Sequence, residues 1–147
     1  MMNTNKLHCK AENSPPVKVL IVDDDPRTRK GLRALLETAH LNAHDTAGPR
    51  IELVGEALNG LEAIQMVETS KPDIVLMDIQ MPEMDGIQAT KKIKAKFTDV
   101  KIIILTVRSQ SRTAALEAGA DAFLIKGGAI KELTDTIYSL QEIIDHQ

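Results

Sequence analysis

A chain of 147 residues and 16.1 kDa is the size of one domain, and such a domain buries roughly 70% of the surface its unfolded form exposes. Apolar residues at 43% and charged residues at 27% exclude a disordered or fibrous chain, and no apolar run reaches the ~18 residues of a bilayer span. The net charge of −3, from 18 Lys/Arg against 21 Asp/Glu, comes with only Phe97, Phe123 and Tyr138 as aromatics; without a basic stripe or stacking platforms, direct contact with nucleic acid by this chain is not expected.

Residues 1–16 read as a flexible, polar N-terminal tail that lacks the apolar segment of a signal peptide, so a cytoplasmic location is expected. The lone Cys9 in that tail has no internal disulfide partner and reads as incidental. Asn13-Ser14-Pro15-Pro16 punctuates the start of the domain, residues 17–147. Val17 to Val22 is the first β-branched run, and Pro26 to Glu37 follows with helical period, Leu32, Leu35 and Leu36 on one side and Asp25 before Pro26 as its cap. Residues 38–50 read as an extended, solvated loop insertion; His40, His44 and Asp45 there are a weak metal pattern, because a His pair without a third firm ligand is common by accident.

Ile51 to Glu56 is the second strand, and the helix after it is capped by Asn59, carries Leu61, Ile64 and Val67, and stops at Lys71-Pro72. Asp73 to Met77 is the third strand; Asp85-Gly86 opens a helix that buries Ile87 and Ile93 and turns Lys91, Lys92, Lys94 and Lys96 to water. Val100 to Leu105 is the fourth strand, and Ser109 or Ser111 starts a helix that closes at Gly119, a left-handed position. Ala122 to Ile125 is the fifth strand, and Ala129 to about Ile144 is a last helix with Ile130, Leu133, Ile137, Leu140 and Ile144 as its stripe.

Five strands alternating with helices require crossovers and therefore a parallel sheet covered on both faces. The expected fold is α/β, a flavodoxin-like (βα)5 doubly wound sheet of order 2-1-3-4-5, whose switch point lies between the first and third strands. Asp23, Asp24 and Asp25 leave the first strand and Asp78 leaves the third, so carboxylates converge there. Two of them about 5 Å apart repel by about 3 kcal/mol at an effective dielectric near 20, so a cation is required. Lys126 at the end of the fifth strand supplies one charge, and a divalent ion with oxygen ligands, Mg²⁺ by its chemistry, supplies the rest. Thr106 at the end of the fourth strand adds a hydroxyl for an anion's oxygen. Nucleophile, metal ligands, oxygen donor and counter-charge are the parts for phosphoryl transfer to an aspartate, with Asp78, opposite the acid pair, as nucleophile.

The segments Val19-Leu20-Ile21-Val22-Asp23-Asp24-Asp25, Val75 through Gly86 with Asp78-Ile79-Gln80-Met81-Pro82, Ile104-Leu105-Thr106, and Ala120 through Lys126 resemble the receiver domains of two-component response regulators. The resemblance implies that Asp78 accepts a phosphoryl group from a sensor histidine kinase, a phosphotransfer protein or acetyl phosphate. It implies that Asp23, Asp24, Asp78 and the main-chain carbonyl of Gln80 hold Mg²⁺, that Thr106 and Lys126 meet phosphoryl oxygens, and that Thr106 and Phe123 form the switch. Read by itself, Phe123 fits a core aromatic equally well.

Lys126 is followed by Gly127 where the family often has Pro, and with Val54-Gly55-Glu56-Ala57 leading to Asn59-Gly60 this resembles receivers of the NarL/FixJ type. Gln80 and Arg108 flank the pocket at positions that tune phosphoryl lifetime in the family, and Val107 is bulkier than the residue often found there. Tyr138, Ile143 and Ile144 offer an apolar strip for a homodimer, or simply cover the sheet. Two competing functions fit less well. A Mg²⁺-dependent phosphohydrolase with an aspartyl-phosphate intermediate commonly has a second acid where Gln80 stands, and an FMN carrier would place its phosphate against Asp23 to Asp25. The expected role is regulatory rather than that of a metabolic enzyme.

Overall fold

The computed structural model describes residues 15–39 and 50–145. The tail with Cys9 and the His40, His44, Asp45 pattern lie outside the described residues. The elements follow one another as β1 (Val17–Val22), α1 (Pro26–Ala39), β2 (Ile51–Ala57), α2 (Gly60–Ser70), β3 (Ile74–Met77), α3 (Gly86–Lys96), β4 (Lys101–Thr106), a 3-10 turn (Ser109–Ser111) leading into α4 (Arg112–Glu117), β5 (Ala122–Ile125) and α5 (Ile130–Asp145). The sheet is parallel throughout with order β2-β1-β3-β4-β5.

Side chains alternate across each strand, and both sets are apolar, so the sheet has two cores. Leu20, Val22, Val75, Met77, Ile102 and Ile104 face Ala63 and Val67 of α2 and Ala89 and Ile93 of α3, while Val19, Ile21, Leu76 and Ile103 face Leu36 of α1 and Leu133 and Ile137 of α5. Each fully buried Leu or Ile contributes roughly 1.5–3 kcal/mol.

Helix ends are set by short polar side chains. Asp25 Oδ1 accepts from Arg27 N at 2.9 Å, Asn59 Oδ1 from Glu62 N at 2.9 Å and Asp85 Oδ1 from Gln88 N at 2.8 Å; each such cap is worth about 1 kcal/mol. Gly119 takes φ +108 where α4 ends, a conformation that a Cβ would oppose. Lys71 stops α2 at φ 49 just before Pro72.

Strand limits differ by a residue from the apolar runs, because pairing and not hydropathy defines them. β3 starts at Ile74, the first residue in register with Val19 and Lys101, although Asp73 N already donates to Lys18 O at 2.8 Å and its carboxylate accepts from Lys18 N at 2.9 Å. Thr106 pairs with Ile125 and so belongs to β4. Thr38 and Ala39 are helical, not loop; Thr38 Oγ1 donates to the carbonyl of Ala34 at 2.9 Å as α1 continues. Lys94 does not face water: its ammonium donates to Val100 O at 2.9 Å and to Asp121 Oδ2 at 3.1 Å. Leu35 is exposed, because only Leu36 of the three leucines on α1 is fully buried and Leu32 only packs against that core.

Candidate functional site

All parts of the site sit on the rim where the strands end. β1 and β3 are adjacent, and Val22 and Met77 are paired across them, so Asp23 and Asp78 leave the sheet side by side. Asp78 N donates to Val22 O at 3.0 Å and continues the ladder one step past β3. β4 and β5 end together, and Lys126 N donates to Thr106 O at 2.8 Å. Parallel pairing thus converts a sequence separation of 103 residues between Asp23 and Lys126 into direct contact.

Lys126 Nζ donates to Asp23 Oδ2 at 2.6 Å and to Asp78 Oδ2 at 3.0 Å. The second oxygen of Asp23 accepts from Asp25 N at 2.8 Å, and that of Asp78 from Ile79 N at 2.8 Å. Asp24 is exposed beside them, and one carboxylate oxygen from each of Asp23, Asp24 and Asp78 lies within 4.8 Å of the others. Among the described residues, three carboxylates with a single ammonium remain two charges short of balance, and an all-oxygen donor set of this kind suits a hard, partly hydrated divalent cation. Thr106 is 1% exposed, and its Oγ1 accepts from Arg108 N at 3.4 Å. With the Gln80 amide turned so that its oxygen faces the guanidinium, that oxygen accepts from Arg108 Nη2 at 2.7 Å, so these two residues meet beside the site. Phe123 is 8% exposed in the core, pairs in register with Ile104 and lies 5.9 Å from the Arg112 guanidinium. The Lys126–Gly127 peptide is trans, and Gly127 takes φ +86.

Burial raises the Asp78 carboxyl above the ordinary aspartate value, and the nearby Asp23 charge adds to this; the ammonium of Lys126 offsets only part. Burial would lower Lys126, but its bonds to Asp23 and Asp78 prevail and hold it above the ordinary lysine value, so it is a cation at neutral pH. An aspartate whose native value is raised binds its proton more tightly folded than unfolded, so its ionisation subtracts stability above the native value and nothing below 3.8. Asp78→Asn is therefore expected to raise the neutral-pH stability of the metal-free chain. The gain vanishes as pH falls through the native value of Asp78; thermal melts of both proteins across that range check it, and a pH-independent difference would contradict it.

Sequence reasoning did not find the glycine that lets the Asp78 backbone lie where it does. Gly86 N donates to Ile79 O at 2.8 Å, and a Cβ on Gly86 would stand 2.0 Å from Asp78 O. Gly86→Ala must push the backbone around Asp78 aside, with an expected loss of roughly 3 kcal/mol by urea unfolding; a loss under about 0.5 kcal/mol, the range of neutral surface changes, would show that the approach is relaxed. In the sequence, Asp85-Gly86 marks a helix start and closes one of the segments that carry the resemblance, and neither points to a close approach to Asp78.

The doubly wound, flavodoxin-like sheet places an aspartate triad and a lysine at its switch point, which defines a class of α/β protein with an acidic rim site. The family model for the response regulator receiver domain matches residues 19–138, and the chain belongs to that family. It is 46% identical over 122 residues to the transcriptional regulatory protein YhcZ of Bacillus subtilis, covering 82% of this chain and 53% of that one. It is 40% identical over 126 residues to the response regulator UvrY of Escherichia coli, covering 84% and 54%. The chain thus spans about half the length of these curated relatives. Among solved structures, a two-component response regulator of the LuxR family from Aurantimonas superposes with a TM-score of 0.71 at 29% identity, over 90% of this chain and 88% of that one. The relatives are regulators rather than metabolic enzymes. No helix among the described residues is long and apolar enough to cross a membrane.

Proposed function

We propose that this receiver is the phosphoacceptor of a two-component relay in the cytoplasm. Asp78 takes a phosphoryl group from the phosphohistidine of a sensor histidine kinase or phosphotransfer protein, or from acetyl phosphate. The single observation that carries the reading is the Lys126 ammonium held between Asp23 and Asp78 at 2.6 and 3.0 Å, with Asp24 at its side.

A carboxylate oxygen of Asp78 attacks phosphorus, the new O–P bond forms as the P–N bond breaks, and the departing imidazole nitrogen keeps the bonding pair and takes up a proton. Lys126 orients Asp78 and compensates the charge that arrives with the phosphoryl oxygens. Thr106 offers its hydroxyl to one of those oxygens. Asp23, Asp24, Asp78 and the main-chain carbonyl of Gln80 would hold Mg²⁺, which when bound neutralises charge on the transferring group.

Phosphorylation then becomes a signal through Thr106 and Phe123. Thr106 O accepts from Lys126 N at 2.8 Å, so a shift of the Thr106 end of β4 acts directly on β5, which carries Phe123. The new charge biases the two arrangements of these side chains and hence the face formed by α4, β5 and α5. The half-length match to a protein named as a transcriptional regulator supports an output on transcription, exerted through a partner surface or a homodimer rather than by this domain touching DNA. The competing phosphohydrolase reading is not favoured, since Gln80 stands where its acid would be. The deciding experiment incubates the chain with Mg²⁺ and acetyl phosphate and reads intact mass: a hydroxylamine-labile phosphoryl increment is expected, and its absence at saturating donor and metal would end the proposal.

A further inference from the structure

Two of the three clustered carboxylates are held by their own hydrogen bonds, but Asp24 is exposed and its carboxylate accepts none among the described residues. What the fold fixes of Asp24 is therefore its backbone. The peptide that joins it to Asp23 is planar, so fixing the Asp23 carbonyl also fixes the nitrogen and Cα of Asp24. That carbonyl is gripped by Arg29, whose Nη1 donates to Asp23 O at 2.6 Å. Through Nε the same guanidinium donates to Glu56 Oε1 at 3.0 Å, and Arg33 Nη2 pairs with the other Glu56 oxygen. The Arg29 side chain is 13% exposed, well shielded for an arginine. Across the sheet, Asp23 N donates to Ala57 O at 3.1 Å, next to Glu56, so the β1 exit is tied to the β2 exit through both the N–H and the carbonyl of Asp23.

We infer that Arg29 is a positioning residue for the divalent cation, fixing the Asp23–Asp24 peptide through its carbonyl and anchored in turn by Glu56. The inference rests on the reading that Asp23, Asp24 and Asp78 hold Mg²⁺. A guanidinium suits the task because its planar fork holds the two partners at separate edges in a fixed relation, Nη1 on the carbonyl and Nε on the carboxylate, whereas an ammonium would have to gather both at one point on a flexible stem. Glu56, which it shares with Arg33, offsets part of the guanidinium charge, so the device orients the acidic cluster from a partly compensated cation.

The test is a Mg²⁺ titration of the whole chain, followed by the backbone amide resonances of Asp24 and Ile79 and paired with thermal melts. Arg29→Lys, which keeps the charge and loses the fork, is expected to bind Mg²⁺ about 10-fold more weakly, the scale typical of groups that orient metal ligands. Because Arg29 acts through Asp24, the Arg29→Lys, Asp24→Asn double variant should bind no more weakly than Asp24→Asn alone. A lowered melting temperature with parental Mg²⁺ affinity would overturn the inference and leave Arg29 a structural brace; additive losses in the double variant would overturn the route through Asp24. Should Arg29→Lys not fold, Glu56→Gln loosens the same fork, and parental affinity in that variant has the same consequence. Absence of Mg²⁺ binding in the parent chain is read separately from every variant and would remove the metal reading itself, and the inference with it.

Discussion

Asp78→Ala is expected to abolish phosphorylation: treated with Mg²⁺ and acetyl phosphate, the parent chain should gain a hydroxylamine-labile phosphoryl group and the variant none. The expectation follows from how the three carboxylates are engaged. Asp23 has one oxygen on Asp25 N and the other on Lys126, and it is almost fully buried, so attack from it would break two hydrogen bonds in a closed position. Asp24 is accessible but lacks the ammonium contact. Only Asp78 combines partial access with an oxygen on Lys126, and its neighbour along the rim is the Thr106 side of the sheet. Removal of Asp78 takes away a carboxylate whose ionisation costs stability, so the variant stays folded, as circular dichroism will show. A phosphoryl increment that survives in the folded variant would move the nucleophile to another carboxylate.

Lys126→Met has the second largest effect. It removes the one cation among the described residues that touches both Asp23 and Asp78 and leaves two carboxylates facing one another, the arrangement in which like charges raise each other's proton affinity. The initial rate of phosphorylation by acetyl phosphate should fall by roughly 10²–10³, the loss typical when one donor to a developing anion is deleted. The pH dependence should change as well. Asp78 already titrates above 3.8 because burial outweighs its bond to Lys126, and loss of that bond removes the two largest lowering influences, so its value climbs further. The reacting form is the carboxylate. The residual rate should therefore increase with pH over a window that starts at the ordinary aspartate value and reaches higher in the variant than in the parent. Rates measured at a series of pH values, with the Asp78 carboxyl resonance as a direct titration, check both parts; coincident profiles would mean that Lys126 does not govern Asp78.

Much of this site was legible before any coordinates. Asp23, Asp78, Thr106 and Lys126 each follow a β-branched run, and parallel strands joined by right-handed crossovers must deliver such positions to one edge. The caps Asp25, Asn59 and Asp85 were legible for a similar reason, since a cap bonds residues two or three positions away and needs no distant partner. Lys94 was misread as solvent-facing because its partner Asp121 lies 27 residues further along, on another element. Leu35 shares a side of the helix with Leu32 and Leu36 by period and is nonetheless exposed, because helical period does not say how wide a stripe the neighbouring elements cover.

The amino-acid order alone determined the element sequence, the winding of the sheet and the convergence of carboxylates on its rim, because periodicity, capping and crossover handedness are local or chiral constraints that any compact arrangement must obey. Tertiary structure alone decided that one ammonium bridges Asp23 and Asp78, that Arg29 reaches both Asp23 O and Glu56, and that Gly86 must lack a Cβ beside Asp78 O. Those contacts depend on ångström-scale distances between segments far apart along the chain, and such distances are set by how the two cores pack, not by the spacing of residues along it.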